Sequence, residues 1–330
     1  MKIYVASHNG VLDEYKRQIE YAPPLDADKL VIWQDCEKSF RELTEMCRRV
    51  FPKPIYTMQH GVRASRDYDK PLYKKFNSDM FLAWGRWDYD NMRRQGFPAT
   101  IVGCPLNPYV KPRVPHKEKV VLFIPVSTGK EEPDNLLIYA ELQKLKLAQL
   151  QKGLRAKYEA LRGGWNVEEV TKGKLSDNFT LLAKVLPWHD RKFYTDGSLI
   201  GYQDSERNNL LLFDLLRNVD VVVGLDEGTT ELFAVAHDVP VIVVKGFEYR
   251  WTAGKTYVTP SNAVTHVKLK DLNSAVEHAL EHPEYLRKER AAKAENEMSL
   301  QSVPDPIRRI HEVVGSKPIN NQTLINNDRY

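Results

Sequence analysis

The chain has 330 residues, 42% of them hydrophobic, with 48 basic side chains against 44 acidic and a formal net charge of +4. That much apolar material supplies the cores of about two domains and excludes a mainly disordered chain. The near balance of charge, with a slight basic lean, forces neither nucleic acid nor an acidic membrane as a partner.

Residues 2–6 read as a first short strand that reaches polar His8, Asn9 and Gly10 at once. A signal peptide needs a longer apolar centre, and no apolar run has the ~20 residues that cross a bilayer; a cytoplasmic start is expected. Further strands are expected at 30–33, 54–58, 80–83 and 100–102, with helices at 37–51 and 87–96 between them. Alternation of apolar runs with helical stretches marks a parallel α/β sheet covered on both faces. We therefore expect a doubly wound first domain over 1–106. Pro108, Pro112 and Pro115 then disfavour helix and central strand alike, making 107–118 a linker. Runs at 120–125, 181–186, 219–223 and 239–244 continue the pattern into a second domain over 119–300. Helices follow at 272–282, 283–298 and 305–314, and residues 301–330 are read as a C-terminal helix and tail.

A long helix is expected over 136–161, with Leu147, Leu150, Leu154, Tyr158 and Leu161 spaced for one face. Its other side carries Lys144, Lys146, Lys152, Arg155, Lys157 and Arg162 against only Glu141 and Glu159. That charge reads either as a solvated face or as a docking face for a polyanion. Cys36, Cys47 and Cys104 form no CxxC pair, so they imply neither a disulfide framework nor a zinc ribbon. Asp88 and Asp90 stand at a helix start, where capping explains them better than metal coordination.

The most informative stretch runs from 210 to 244. A buried strand ends in Gly224-Leu-Asp-Glu-Gly228-Thr-Thr230, and Glu231 opens the next helix. A glycine turn between strand and helix directs backbone N–H groups, and the Thr229 and Thr230 hydroxyls, toward the positive end of the helix dipole. On shape alone this reads equally as a diphosphate seat or as a plainly capped helix.

The order of these pieces resembles the donor-binding element of GT-B-type nucleotide-sugar enzymes, in particular the superfamily of non-hydrolysing UDP-N-acetylglucosamine 2-epimerases and CDP-glycerol glycerophosphotransferases. The 120–125 strand is similar to the opening strand of that family's second domain, and residues 181–190 to its K-x-H-P strand end. Gln59-His60-Gly61 and Gly103-Cys104-Pro105 resemble its H-G and G-x-P points. The resemblance implies two Rossmann-like domains facing a cleft and a nucleotide-sugar donor, with a UDP-sugar favoured. It implies no cofactor and no metal. Gly228, Thr229 and Thr230 would hold the donor diphosphate, with Lys184, Trp188 and His189 of the strand-end loop beside it. Glu231 stands a turn earlier than the family's ribose-binding glutamate, so it is read either as that residue or as an electrostatic partner of the helix N-terminus.

For the chemistry, His60 follows a strand and precedes Gly61, which sets it at a strand's carboxyl end with a pKa suited to taking an acceptor's proton. The matching His of the glycerophosphotransferase branch plays that part. Asp13 is a rival base. Arg63, Arg66 and Arg250 suit a donor or acceptor phosphate, and His8 shares the rim. A glycosyltransferase is expected, acting on a surface glycan or a hydroxymethylated DNA base. The alternatives are a CDP-alcohol phosphotransferase or a 2-epimerase on the same frame, and a nucleotide- or nucleic-acid-binding module without turnover.

Overall fold

The computed structural model describes residues 1–6, 12–33, 38–50, 53–59, 77–125, 132–162, 179–185, 199–201, 212–225, 228–245 and 262–315. The chain divides into two compact units, one built on residues 1–110 and the segment from 293 onward, the other on residues between 111 and 292.

The first unit holds five parallel strands: β1 (Ile3–Ala6), β2 (Lys29–Trp33), β3 (Ile55–Met58), β4 (Met80–Ala83) and β5 (Ala99–Ile101). They lie in chain order, and all four pairings are parallel. Helices α1 (Asp13–Arg17), α2 (Lys38–Val50) and α3 (Arg86–Arg94) come from the connections. Leu30, Val31, Ile32, Ile55 and Leu82 are fully buried, as strands without polar alternation must be.

The second unit holds six parallel strands: β6 (Lys119–Ile124), β7 (Phe179–Val185), β8 (Leu199–Gly201), β9 (Val221–Gly224), β10 (Val241–Lys245) and β11 (Thr265–Lys268). Their spatial order is β11-β10-β9-β6-β7-β8. From β6 the chain winds outward to β7 and β8, then returns to lay β9, β10 and β11 on β6's other side. This is the order of a dinucleotide-binding sheet, with its reversal between β6 and β9. Helix α4 (Glu132–Arg162) follows β6, and α5 (Thr229–Ala236) joins β9 to β10. Helices α6 (Leu272–Glu281), α7 (Arg287–Met298) and α8 (Pro306–Val314) close the described chain. The core joins β6, β7, β9 and β10 to α4 and α6 through Phe123, Leu181, Val223, Ile242, Tyr139, Leu142 and Val276.

Three readings are corrected. Leu147, expected on the inward face of α4, is 57% exposed; the inward residues are Ile138, Tyr139, Leu142 and Leu145. Asp88 does not cap α3, whose N-cap is Gly85 without a side-chain bond. Its carboxylate is instead buried and accepts from Gln59 Nε2 at 2.5 Å, while Asp90 pairs with Arg86 at 2.8 Å. The helix expected from 283 starts at Arg287. Before it the chain turns through Leu286 at φ 60°, and the Pro283 and Tyr285 carbonyls accept from the buried Arg290 guanidinium at 2.8 and 2.5 Å.

The segment from 293 onward is sewn to the first unit. Met298 O accepts from Cys104 N at 3.0 Å and from Asn107 Nδ2 at 2.9 Å. A Cβ on Gly85 would collide with the backbone of Asn296 and Glu297, so only glycine lets α7 come this close. Tyr15 of α1 packs on His311 of α8, with ring centroids 4.8 Å apart.

Candidate functional site

The reversal between β6 and β9 is where an open α/β sheet leaves a crevice beyond the carboxyl ends of its strands. Among the described residues there, Gly224 ends β9, and Gly228, Thr229 and Thr230 open the next helix. β9 is a run of valines buried on both faces and paired to β6 and β10, with Ile124 opposite Gly224. Gly228 is the N-cap of α5 in extended backbone, and its carbonyl opens the helix by accepting from Leu232 N at 3.0 Å.

Glu231 organises this turn. Its side chain is buried and folds back so that Oε2 accepts from the Gly228 N–H at 3.1 Å. This is the backward half of a capping box, with glycine in place of the usual Ser or Thr. Its other oxygen lies against the end of β9, where a Cβ on Gly224 would come within 2.6 Å of Oε1. Gly224 and Gly228 thus leave room for one carboxylate, which ties the strand end to the helix start. Its negative charge also meets the positive end of the α5 dipole. Thr229 and Thr230 occupy the first two helical positions and are half-buried.

Lys184 is the last but one residue of β7. One residue beyond the pair Phe123–Ala183, it falls level with Ile124 and hence with Gly224, two strand spacings away across β6. At ~4.8 Å per spacing that is roughly 10 Å between backbones. Trp188, His189 and Arg250 lie outside the described residues, as do His8, His60, Arg63 and Arg66 of the first unit. Asp13 is half-buried in the first turn of α1.

The residue before His60 is described. Gln59 is fully buried just past β3, with its N–H on Leu82 O at 3.0 Å. Its side chain accepts from Trp84 N at 2.6 Å and donates to Asp88. This network locks the carboxyl ends of β3 and β4 together. Sequence reasoning missed it. An unaccompanied Gln at a strand end, 29 residues from its carboxylate partner, carries no local signature.

A second polar cluster sits at the opposite, amino end of the second sheet. Asp220 accepts from Arg113 Nη2 at 2.5 Å and Val120 N at 2.8 Å, and His116 Nε2 lies 2.9 Å from it. These bonds pin the proline-rich segment to the start of β6 and β9. Among the described residues, no group of three or more His, Cys, Asp or Glu side chains converges as a metal site. No helix among them is long and apolar enough to cross a membrane.

Comparison with solved structures fixes the architecture. The wall teichoic acid polymerase TagF superposes over 88% of this chain and 74% of its own, at TM-score 0.53 and 11% identity. A putative UDP-N-acetylglucosamine 2-epimerase from Listeria monocytogenes matches over 89% and 76%, at TM-score 0.54 and 12% identity. The fold is of the GT-B type. The UDP-GlcNAc 2-epimerase of Neisseria meningitidis, solved with UDP-GlcNAc bound, agrees over 92% and 78% at TM-score 0.52 and 14% identity. No protein-family model matches the sequence, and no curated protein does. At these identities the likeness is one of fold, and a GT-B fold carries several reactions.

Proposed function

We propose that the protein is a glycosyltransferase that draws a sugar from a nucleotide-sugar donor, a UDP-sugar in first place, and moves it to a hydroxyl acceptor. One observation carries this reading: the Gly224–Glu231 turn stands at the reversal point of a dinucleotide-type sheet, on a fold shared with an epimerase that binds UDP-GlcNAc. In this reading Thr229 and Thr230 hold the donor diphosphate through amides and hydroxyls at the positive end of α5. Gly228 gives them access. Because Glu231 already accepts from the Gly228 N–H, we assign it to shaping the cradle rather than to the ribose.

The departing diphosphate gains charge as the glycosidic bond breaks, and fixed dipoles with nearby cations offset that charge. Lys184, His189, Arg63, Arg66, His8 and Arg250 are proposed for this work, with Trp188 stacking on the base. His60 takes the acceptor's proton, and Asp13 is its rival. No metal enters the scheme, so EDTA should leave turnover unchanged. The acceptor is a hydroxyl of a glycan, a polymer or a hydroxymethylated DNA base.

The test is a thermal-shift panel with UDP-, CDP- and GDP-linked sugars at millimolar concentration, followed by assay of nucleotide release. One donor class should raise Tm, and Thr229→Ala with Thr230→Ala should abolish both shift and release. His60→Ala should retain the shift and lose the release. If no donor moves Tm, the donor assignment fails; if binding occurs and no acceptor supports release, the protein is a binding module.

A further inference from the structure

We infer that His278 and His282 chelate a late first-row divalent cation, Zn²⁺ in first place, at the C-terminal end of α6. Helical spacing holds across the pair: the His282 N–H donates to His278 O at 2.8 Å, although His282 is already the C-cap of the helix. Residues four apart on a helix share one face. The two imidazoles do so here, with ring centroids 4.8 Å apart and planes tilted by 49°. Among the described histidines these two alone are exposed. The others are buried or half-buried, as His237, His311 and His116 are.

Two imidazoles one turn apart are the ligand pair that helical zinc sites use. Imidazole nitrogen takes Zn²⁺ at ~2.0–2.1 Å, which sets the ion ~3.2 Å from the centre of each ring. Centroids 4.8 Å apart then subtend roughly 100° at the ion, between the cis angle of an octahedron and the tetrahedral angle. Glu284 stands behind His282, its Oε1 3.7 Å from Nδ1. A carboxylate at the outer nitrogen orients a metal-binding imidazole and raises its basicity, and it leaves Nε2 for the ion. Tyr285 sets its ring edge-on to His278, with centroids 5.2 Å apart.

The charge around the pair suits a cation. The last carbonyls of α6 are the negative end of its dipole, and Glu281 and Glu284 flank His282 in sequence. Arg287 and Arg290, which follow, are both committed to Asp238, at 2.7 and 2.6 Å. Beside the imidazoles lies a cavity of about 300 Å³, bounded by Pro240, Val241 and Thr265 at the strand starts and by Ala275 and Ala279 of α6. It gives water room at the ion's remaining positions. Two protein ligands are fewer than the three of a catalytic zinc site, so this site is open and exchangeable. The cavity lies at the amino ends of β10 and β11, whereas the Gly224–Glu231 turn follows the carboxyl end of β9 in the same parallel sheet. The inference therefore does not depend on the proposed activity, and the ion takes no part in it.

Calorimetric titration of zinc chloride into the untagged full chain, stripped of metal and dialysed, tests it. One equivalent should bind and raise Tm; magnesium chloride, whose ion prefers oxygen ligands, should do neither. His278→Ala and His282→Ala should each weaken zinc binding at least tenfold. Both side chains are exposed, so the metal-free variants should melt with the parent. Electron paramagnetic resonance after loading with copper(II) chloride reads the ligands without reference to stability: couplings to two imidazole nitrogens are expected in the parent and to one in either variant. The inference is overturned if the parent binds no zinc. It is equally overturned if the His278→Ala, His282→Ala double variant binds zinc like the parent, since the ion would then sit on other residues.

Discussion

At the scale of single residues, the account turns on a carboxylate held between two glycines. Gly224→Ala would place a Cβ 2.6 Å from Glu231 Oε1, a separation that Cβ atoms do not adopt, so the carboxylate must leave. Donor affinity should then fall tenfold or more while the fold survives, as titration calorimetry beside circular dichroism would show. Glu231→Ala removes a capping partner and should cost about 1 kcal/mol in chemical denaturation. His237 and His311 add a pH signature. Burial, the larger cause, pushes both imidazoles below their ordinary value; the Phe233 carbonyl near His237 and Asp305 near His311 work against it. His237 Nδ1 lies 2.8 Å from Phe233 O, and its buried Nε2 has no partner among the described residues. The folded state therefore resists a proton that the unfolded chain accepts below about pH 6.5. Stability is full above that value and declines as pH falls through the lowered native pKa values. Tm should drop between pH 7.5 and 5.5, and His237→Gln should reduce the drop. The glycines and threonines of the turn were legible in the sequence because they are contiguous. The role of Glu231 was not, because a carboxylate at a helix start has the same spacing whether it faces a ribose or its own cap.

At the scale of elements, strands buried on both faces announced themselves as Val/Leu/Ile runs, and all nine expected strands form with small shifts at their ends. The two that escaped notice, β8 and β11, are the edges of the second sheet. They have three and four residues, too short to show a pattern. Helix α4 misled at its middle: Leu147, read with the inward stripe, is exposed, and the inward line is Ile138, Tyr139, Leu142 and Leu145. The Asp220 cluster was invisible because its partners Arg113 and His116 are more than 100 residues away in sequence. Asp220 is 6% exposed, so Asp220→Ala leaves Arg113 and the Val120 amide without their acceptor. A loss of about 3 kcal/mol is expected by urea denaturation.

At the scale of the molecule, α7 begins in the second unit and ends in the first, since the division falls between residues 292 and 293. Its start is anchored by Arg290, 1% exposed, which bonds Asp238 through Nε and Nη2 at 2.9 and 2.6 Å. Its end is held by Cys104 and Asn107. The slight basic lean of the composition is matched within one segment: a surplus equal to that of the entire chain lies on 141–162. The central claim, that the Gly224–Glu231 turn seats a nucleotide-sugar diphosphate, is tested most directly by calorimetric titration of UDP-GlcNAc into the parent chain and into the Thr229→Ala, Thr230→Ala variant. The account predicts saturable one-site binding that weakens at least a hundredfold in the variant, about 2.7 kcal/mol. Equal affinity in the two proteins would contradict it.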